Sequence, residues 1–270
     1  MIAITDKEFE QLSEYIELNY GIHLKVEKKT LITGRLNNVL VQNNCSSFSE
    51  YYKLLKNDKT GKLVAVFINK ITTNHTYFMR ETDHFVYFKD VVMPHIAENI
   101  KNKDFRTWSA GCSSGEEPAT MAMIIKDHFG NEKGLWDTKI LATDISDNAL
   151  EKAKKGQYSN EELINLPINW KINYFKKLNS EENILVDSIR NDIIYRKFNL
   201  MDEFPFKKKF HVIFCRNVMI YFDTNTKKDL VNKFYDSLEK GGFLFIGHSE
   251  AINRETSKFK YIRPAIYRRE

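Results

Sequence analysis

Cysteine is scarce in this chain of 270 residues. Cys45, Cys112 and Cys215 are an odd number of thiols with no CxxC spacing, which argues against a disulfide scaffold or a structural zinc site. A reducing, cytoplasmic setting is the plain expectation. Long hydrophobic runs are absent too: none approaches the ~18 apolar residues that cross a bilayer. The start, MIAITDKEFEQL, lacks the basic end and apolar core of a secretory signal, so no membrane insertion is expected. Low-complexity tracts and coiled-coil or collagen-like bias are also missing. Neither charge sign dominates: 41 basic and 36 acidic residues leave a net charge of +5, compatible with an acidic partner surface but not requiring nucleic acid. The length allows one large or two ordinary domains with a sizeable core.

What is present centres on residues 106–129, RTWSAGCSSGEEPATMAMIIKDHF. A short apolar run gives way to Gly111, Ser113, Ser114 and Gly115, then to Glu116, Glu117 and Pro118, and an apolar helical pattern stops at Gly130. That order predicts a strand, a glycine turn and a helix. Such turns let backbone approach a ligand closely. The spacing differs from GxGxxG, and two acids stand where a pyrophosphate needs bare amides, so a cationic ligand is favoured. S-adenosylmethionine, with its ammonium and sulfonium, fits.

Residues 1–71 read as helices with stripes at Phe9, Leu12, Ile16 and Tyr20, at Leu31, Leu36, Val39 and Leu40, at Phe48, Tyr51, Tyr52, Leu54 and Leu55, and at Leu63, Val64, Phe67, Ile68 and Ile71. They should form a small bundle, with Lys25, Lys28, Lys29 and Arg35 as a basic cluster near the second helix. Residues 72–85 (TTNHTYFMRETDHF) read as a linker or lid, in which Asn74, Thr76 and Arg80 are able to bind a polar ligand. His75 and His84 read as surface or linker residues, since no partners stand at ligand spacing. A helix carrying Phe85, Tyr87, Phe88, Val91, Val92 and Ile96 should pack on the following sheet.

From Arg106 strands alternate with helices, the pattern of an open, mostly parallel α/β sheet. The strand 139–143 ends in Asp144, the expected acceptor for a ribose diol, with Asp147, preferred over Ser146, as the following helix cap. Residues 157–192 break the alternation and predict a small antiparallel excursion that includes a strand at NILVDSI. Asn199 and Leu200, after the next strand, suit an adenine. KFHVIFC is a buried strand whose end, Arg216, Asn217 and Tyr221, marks the crevice where open α/β sheets bind ligands. A helix closed by Gly241 and Gly242, a strand FLFIGHSE and a terminal hairpin FKYIRPAIYRR complete the chain.

The segments TTNHTYFMRE, WSAGCSSGEEP, ATDIS, CRNVMIYFD, GGFLFIGHSE and YIRPAIYRR, in this order, resemble the chemotaxis receptor glutamate methyltransferases, the CheR family. The resemblance spans essentially the whole chain. It implies an α/β protein: an all-α N-terminal domain (1–71), a linker contacting the cofactor (72–85), and a Rossmann-like S-adenosylmethionine-dependent methyltransferase domain (86–270) with a small antiparallel β subdomain at about 157–192. It implies transfer of a methyl group from S-adenosylmethionine to glutamate carboxylates of methyl-accepting chemotaxis receptors, giving γ-methyl esters and S-adenosylhomocysteine. Matched position by position, Asn74, Thr76 and Arg80 are linker contacts to the cofactor, and Glu117 rather than Glu116 is the acidic contact. Asp144 is the ribose acid; Asn199, Leu200, Arg216 and Asn217 follow the third and fourth strands. Arg80 and Tyr221 stand nearest the transferred methyl. The basic residues 25–35 suit docking to an acidic receptor helix. Some members grip a receptor pentapeptide tether with a glycine-containing loop; the matching YFKKLNSEENILVDS has no glycine, which implies a tether-independent enzyme. A monomer without metal is expected.

A glutamate, with an ordinary pKa of about 4.3, is already ionised at neutral pH, so no general base is required. That agrees with the lack of a convincing Cys-His or Ser-His pair. Three other readings were open. One is a methyltransferase acting on nucleic acid or a small molecule, of which the nucleic-acid amino-methylating kind would carry (D/N/S)PP(Y/F) where CRNVMIYF stands. A nicotinamide dehydrogenase does not fit the GEEP turn. A silent module that binds cofactor and docks without turnover is separated only by assay.

Overall fold

The computed structural model describes residues 2–72 and 76–270, so Asn74 and His75 lie outside the described residues. Four helices come first: α1 (Asp6–Tyr20), α2 (Lys29–Gln42), α3 (Phe48–Asn57) and α4 (Lys62–Ile71). Thr5 and Glu8 form a capping box at the start of α1, and Gly21 ends it with φ +70°. Glu8 also accepts hydrogen bonds from the Ser49 amide and hydroxyl, which fastens α1 to α3. Three residues of the predicted stripes, Leu31, Leu54 and, further on, Val91, are exposed instead of buried. Their neighbours Ile32, Leu55 and Val92 take the inward positions, because apolar runs of two leave the inner face undecided in sequence.

Then follow α5 (Thr82–Tyr87) and α6 (Met93–Asn99), joined by a π-helical stretch at Phe88–Val92. This interrupted rod packs on the sheet as predicted: Phe85 stacks on Phe214, and Phe88 meets Phe214 and Phe245 edge-on. The sheet begins with β1 (Thr107–Ala110), α7 (Glu116–Phe129), β2 (Ile140–Asp144) and α8 (Asp147–Lys155). An excursion follows: β3 (Gln157–Ser159), α9 (Ile168–Tyr174), β4 (Phe175–Lys177), β5 (Glu182–Leu185) and α10 (Asp187–Arg190). Its strands form a separate antiparallel sheet of order β3-β5-β4. The predicted strand NILVDSI is shorter, since Asp187–Arg190 turns helical after Leu185.

The chain returns through β6 (Ile193–Lys197), β7 (Phe210–Cys215), α11 (Thr224–Ser237), β8 (Leu238–Ile246), β9 (Lys260–Arg263) and β10 (Ile266–Arg268). The main sheet has the order β6-β2-β1-β7-β8-β10-β9, and every pairing up to β8 is parallel while β10 runs antiparallel to both neighbours. Gly241 and Gly242 do not close α11, which ends at Ser237; they lie inside β8. A Cβ on Gly242 would stand 2.9 Å from the Glu239 carbonyl and 3.0 Å from that of His211, so the glycines serve close strand approach at a bulge.

Alternate residues of the central strands face opposite cores, as a period of two requires. Trp108, Ile213, Cys215, Leu244 and Ile246 join one cluster, which runs on without a break into Leu12, Ile16, Leu36 and Phe67 of the N-terminal helices. Val212, Phe214, Phe243 and Phe245 join the other, with α5, α6, α7 and the small subdomain. Trp108 sits among Phe198, Phe204, Phe206, Phe210 and Phe234, and its indole N–H donates to Thr143 Oγ1 at 2.9 Å. The sheet order reverses between β1 and β7, so their carboxyl ends diverge and open a crevice.

Candidate active site

A cleft lies over those carboxyl ends. The turn after β1 supplies Gly111, Ser113 and Glu117, the end of β2 supplies Asp144, the segment after β6 supplies Phe198, Asn199 and Leu200, and the loop after β7 supplies Arg216, Asn217 and Tyr221. The opposite wall comes from Tyr20, Ile22, Ile68 and Asn69 of the N-terminal helices and from Thr76, Tyr77 and Arg80. Every candidate site residue named from sequence that is described therefore lines one cleft. Reading the sequence missed the helical wall, since nothing in the α1 and α4 stripes signals that their ends reach the sheet.

The turn after β1 requires its glycines. Gly111 has φ +87°, and a Cβ there would fall 2.4 Å from Val218; Gly115 has φ +95°. Ser113, also left-handed at φ +48°, points its amide at Asp144 Oδ2 at 2.8 Å, while Asp144 Oδ1 accepts from the Ser146 amide at 2.9 Å. Asp147 does not cap α8: Ser146 does, its hydroxyl accepting from the Ala149 amide. Asp147 is already helical and pairs with Lys197 at 2.6 Å. With four acceptor sites and three backbone N–H groups near it, the Asp144 carboxylate keeps acceptor capacity towards the cleft. Burial pushes the carboxyl up and the backbone N–H groups of Ser146, Ser113 and Ile145 oppose that push.

The two acids of the GEEP turn diverge. Glu116 is buried and accepts from the Ser114 hydroxyl, away from the cleft lining. Glu117 lines the cleft, accepts from the Ser109 hydroxyl at 2.7 Å and meets Arg216 Nη1 at 3.1 Å. Arg216, whose side chain is 2% exposed, also donates through Nε and Nη2 to Glu81 Oε2 and through Nη2 to the Arg80 carbonyl, and lies over the Phe85 ring. Burial raises both carboxyls. The guanidinium, with the His248 amide and the Asn217 side chain, outweighs it at Glu81 and holds that group low, whereas Glu117, served by one guanidinium nitrogen and Ser109, stays raised.

Elsewhere the groups are partly committed. Asn199 donates to the Asn19 carbonyl at 2.8 Å and accepts from the Met201 amide, so it also ties α1 to the sheet. The Tyr221 carbonyl accepts from the His23 amide at 2.8 Å, next to an isolated bridge between Ile22 and Phe222. Glu250, unremarked in sequence, accepts backbone N–H bonds from Asn217, Ile220 and Gly247 and so shapes the loop that carries Tyr221. Of the basic cluster, Lys29 pairs with Asp6 at 2.6 Å and Arg35 donates to the Lys70 carbonyl, while Lys25 and Lys28 are exposed.

His84 is fully buried rather than a surface residue, because it lies on the inner side of α5 against Phe245 and His248. Potential ligand atoms of Glu81, His84 and His248 lie within 4.8 Å of one another. Glu81 already faces the Arg216 guanidinium, which repels a second cation, so we assign no metal there. Burial, then Arg216, holds the His84 imidazole down at about 4, with Glu81 and Asp83 opposing and His248 adding to the push. Burial and Arg106 hold His211 at about 4 as well. Unfolded, each histidine titrates near 6.5, so between these values only the unfolded chain takes up the proton. Their stabilisation is complete above the unfolded value and is lost as pH falls towards 4. The raised carboxyls Glu116, Glu117, Asp144 and Glu250 act in the opposite sense at the acid end. Comparison with His84→Gln isolates the histidine: the Tm of the wild type should fall more steeply from pH 7.5 to 5 than that of the variant, and parallel curves would refute the assignment.

Residues 7–72 match the family model "CheR methyltransferase, all-alpha domain", and residues 74–267 match "CheR methyltransferase, SAM binding domain". A chemotaxis protein methyltransferase of Borreliella burgdorferi is 43% identical over 272 aligned residues, covering 99% of this chain and 96% of that protein. One of Escherichia coli is 34% identical, covering 98% and 92%, and chemotaxis protein methyltransferase Cher2 of Pseudomonas putida is 33% identical, covering 91% and 90%. With both domain models matched in order and similarity along nearly its full length, this chain belongs to the CheR methyltransferase family.

Proposed function

We propose that this protein is a protein-glutamate O-methyltransferase that esterifies glutamate side chains of methyl-accepting chemotaxis receptors. The observation that carries the reading is the cleft over the divergence of β1 and β7, walled by Asp144 and Glu117 on one side and by the N-terminal helices on the other, in a chain of this family. The residues fit S-adenosylmethionine. Asp144 retains acceptor capacity for a ribose diol, Glu117 offers a buried carboxylate to a cationic group, and Leu200 with Asn199 flanks a space for a base. Thr76, Arg80, Arg216, Asn217 and Asn74 complete the proposed set. The cofactor supplies an electrophilic methyl on a sulfonium.

Residues 1–71, 72–85 and 86–270 are the proposed docking domain, linker and catalytic domain, with Lys25 and Lys28 facing an acidic receptor helix. The acceptor arrives as a carboxylate, and its charge is neutralised along with that of the sulfonium as the ester forms. A dry pocket therefore helps, and strong ionic clamping of the attacking oxygen would slow the reaction. Arg80 and Tyr221 act by orienting the carboxylate; alignment is worth up to ~7–11 kcal/mol in favourable cases. Tyr221→Phe should lower turnover about tenfold or more without introducing a new pKa into the rate profile. A proton-transfer limb in that profile would contradict an orienting role.

The decisive assay follows tritium from labelled cofactor into receptor-bearing membranes and its release as methanol in mild base. Membranes that acquire no label favour a docking module without turnover, and label that stays after base treatment means a methyl acceptor other than a carboxylate. The β4–β5 segment, without glycine, supports independence from a receptor tether. A NWETF-type peptide should then show no saturable binding in a titration, and tight binding overturns that part.

A further inference from the structure

Arg80 is held between two residues in a backbone conformation that side chains disfavour: Met79 has φ +61° and Glu81 has φ +55°. Left-handed non-glycine residues persist only where their surroundings over-determine them. At this turn Thr82 Oγ1 donates to the Met79 carbonyl and the Arg80 amide to that of Tyr77, and the longer-range constraint is the Glu81 side chain. Its Oε2 takes Arg216 Nη2 at 3.1 Å and Nε at 3.3 Å, and its Oε1 takes the Asn217 side-chain amide and the His248 backbone amide, each at 3.2 Å. Arg216 in turn donates to the carbonyl of Arg80. One carboxylate thus joins the turn that carries Arg80, the loop after β7 that leads to Tyr221, and the loop after β8.

We infer that Glu81 is a positioning residue for methyl transfer: through Arg216 and Asn217 it fixes where Arg80 stands in the cleft. The inference rests on the role given above to Arg80. Glu81 itself is not among the cleft-lining residues, which separates it from groups that touch the acceptor or the cofactor. Its charge matters as well as its shape, because Arg216 is buried between Glu81 and Glu117, and a neutral partner leaves that guanidinium with one anion and a weaker hold on the turn. Displacements of the order of 1 Å in positioning groups cost about 100-fold in rate, so a loosened turn is felt in turnover.

A double-mutant cycle tests this, using the full chain and receptor membranes with Glu81→Gln, Arg80→Ala and both together. Glu81→Gln should lower kcat about tenfold or more, and since Arg80, Arg216 and Asn217 are also proposed cofactor contacts the affinity for S-adenosylhomocysteine, read by calorimetry, should weaken as well but by a smaller factor. In the Arg80→Ala background the same change should lower kcat by less than about twofold, because its effect passes through Arg80. Equal losses in both backgrounds mean that Glu81 acts only on the fold, which overturns the inference and leaves the role of Arg80 standing. Wild-type turnover by Arg80→Ala removes that role and with it the inference. Should Glu81→Gln fail to fold, Glu81→Asp keeps the charge on a shorter reach and completes the same cycle.

Discussion

Asp144→Asn should weaken S-adenosylhomocysteine binding about 100-fold, measured by calorimetry, with a small change in Tm. The carboxylate is fixed by the amides of Ser113 and Ser146, one on each oxygen, and faces the cleft from the end of β2. Hydrogen bonds to a charged acceptor contribute roughly 1.5–3 kcal/mol each, and a diol makes two, so the loss of the charge corresponds to a fall of that order. Asparagine keeps the size and one carbonyl acceptor but turns an NH2 group towards one of the two amides. Alanine is the poorer probe, because it orphans both amides and mixes folding with binding. An affinity within about threefold of the wild type would remove Asp144 from the ligand set, and the ribose would have to be sought elsewhere in the cleft.

Arg216→Met should destabilise the fold by about 3–5 kcal/mol, the usual consequence of removing one partner from a buried ion pair, and lower Tm by roughly 10 °C. Methionine matches the packing on Phe85 but leaves Glu81 and Glu117 facing each other without a cation. The remaining carboxyls then relieve the penalty by taking up protons. A carboxyl raised in the folded state contributes stability at low pH that is lost as pH rises through its folded value. The deficit relative to wild type should therefore be smaller at pH 5.5 than at pH 8. A deficit independent of pH would mean that the guanidinium acts by packing alone.

These two residues mark how far a linear reading reaches. Asp144 was legible because β2 is a clean apolar strand ending in an acid, and the position after such a strand is set by the sheet. The turn at 111–117 was legible for the same reason: local spacing decides a strand, a glycine turn and a helix. The preference for Glu117 over Glu116 came with the family resemblance, and in the fold only Glu117 lines the cleft. Arg216 was visible at a strand end, but its binding of Glu81, Glu117 and the Arg80 carbonyl depends on contacts between residues as far as 136 apart in sequence. No local pattern encodes those. His84 was misjudged because its burial is set by a packed neighbour, His248, and Gly241 and Gly242 were misjudged because a strand bulge and a helix stop use the same residue type.

By itself the sequence determined most element types, the parallel α/β plan with its antiparallel excursion, and the residues at the carboxyl ends of the strands, since each of these follows from periodicity and turn chemistry within a few residues. Tertiary structure alone decided that Tyr20, Ile22 and Asn69 of the helical segment wall the cleft, and that one buried guanidinium fastens the linker to the sheet. Those are long-range choices, made where shape and charge must be satisfied together and where the order of residues along the chain carries no record of the outcome.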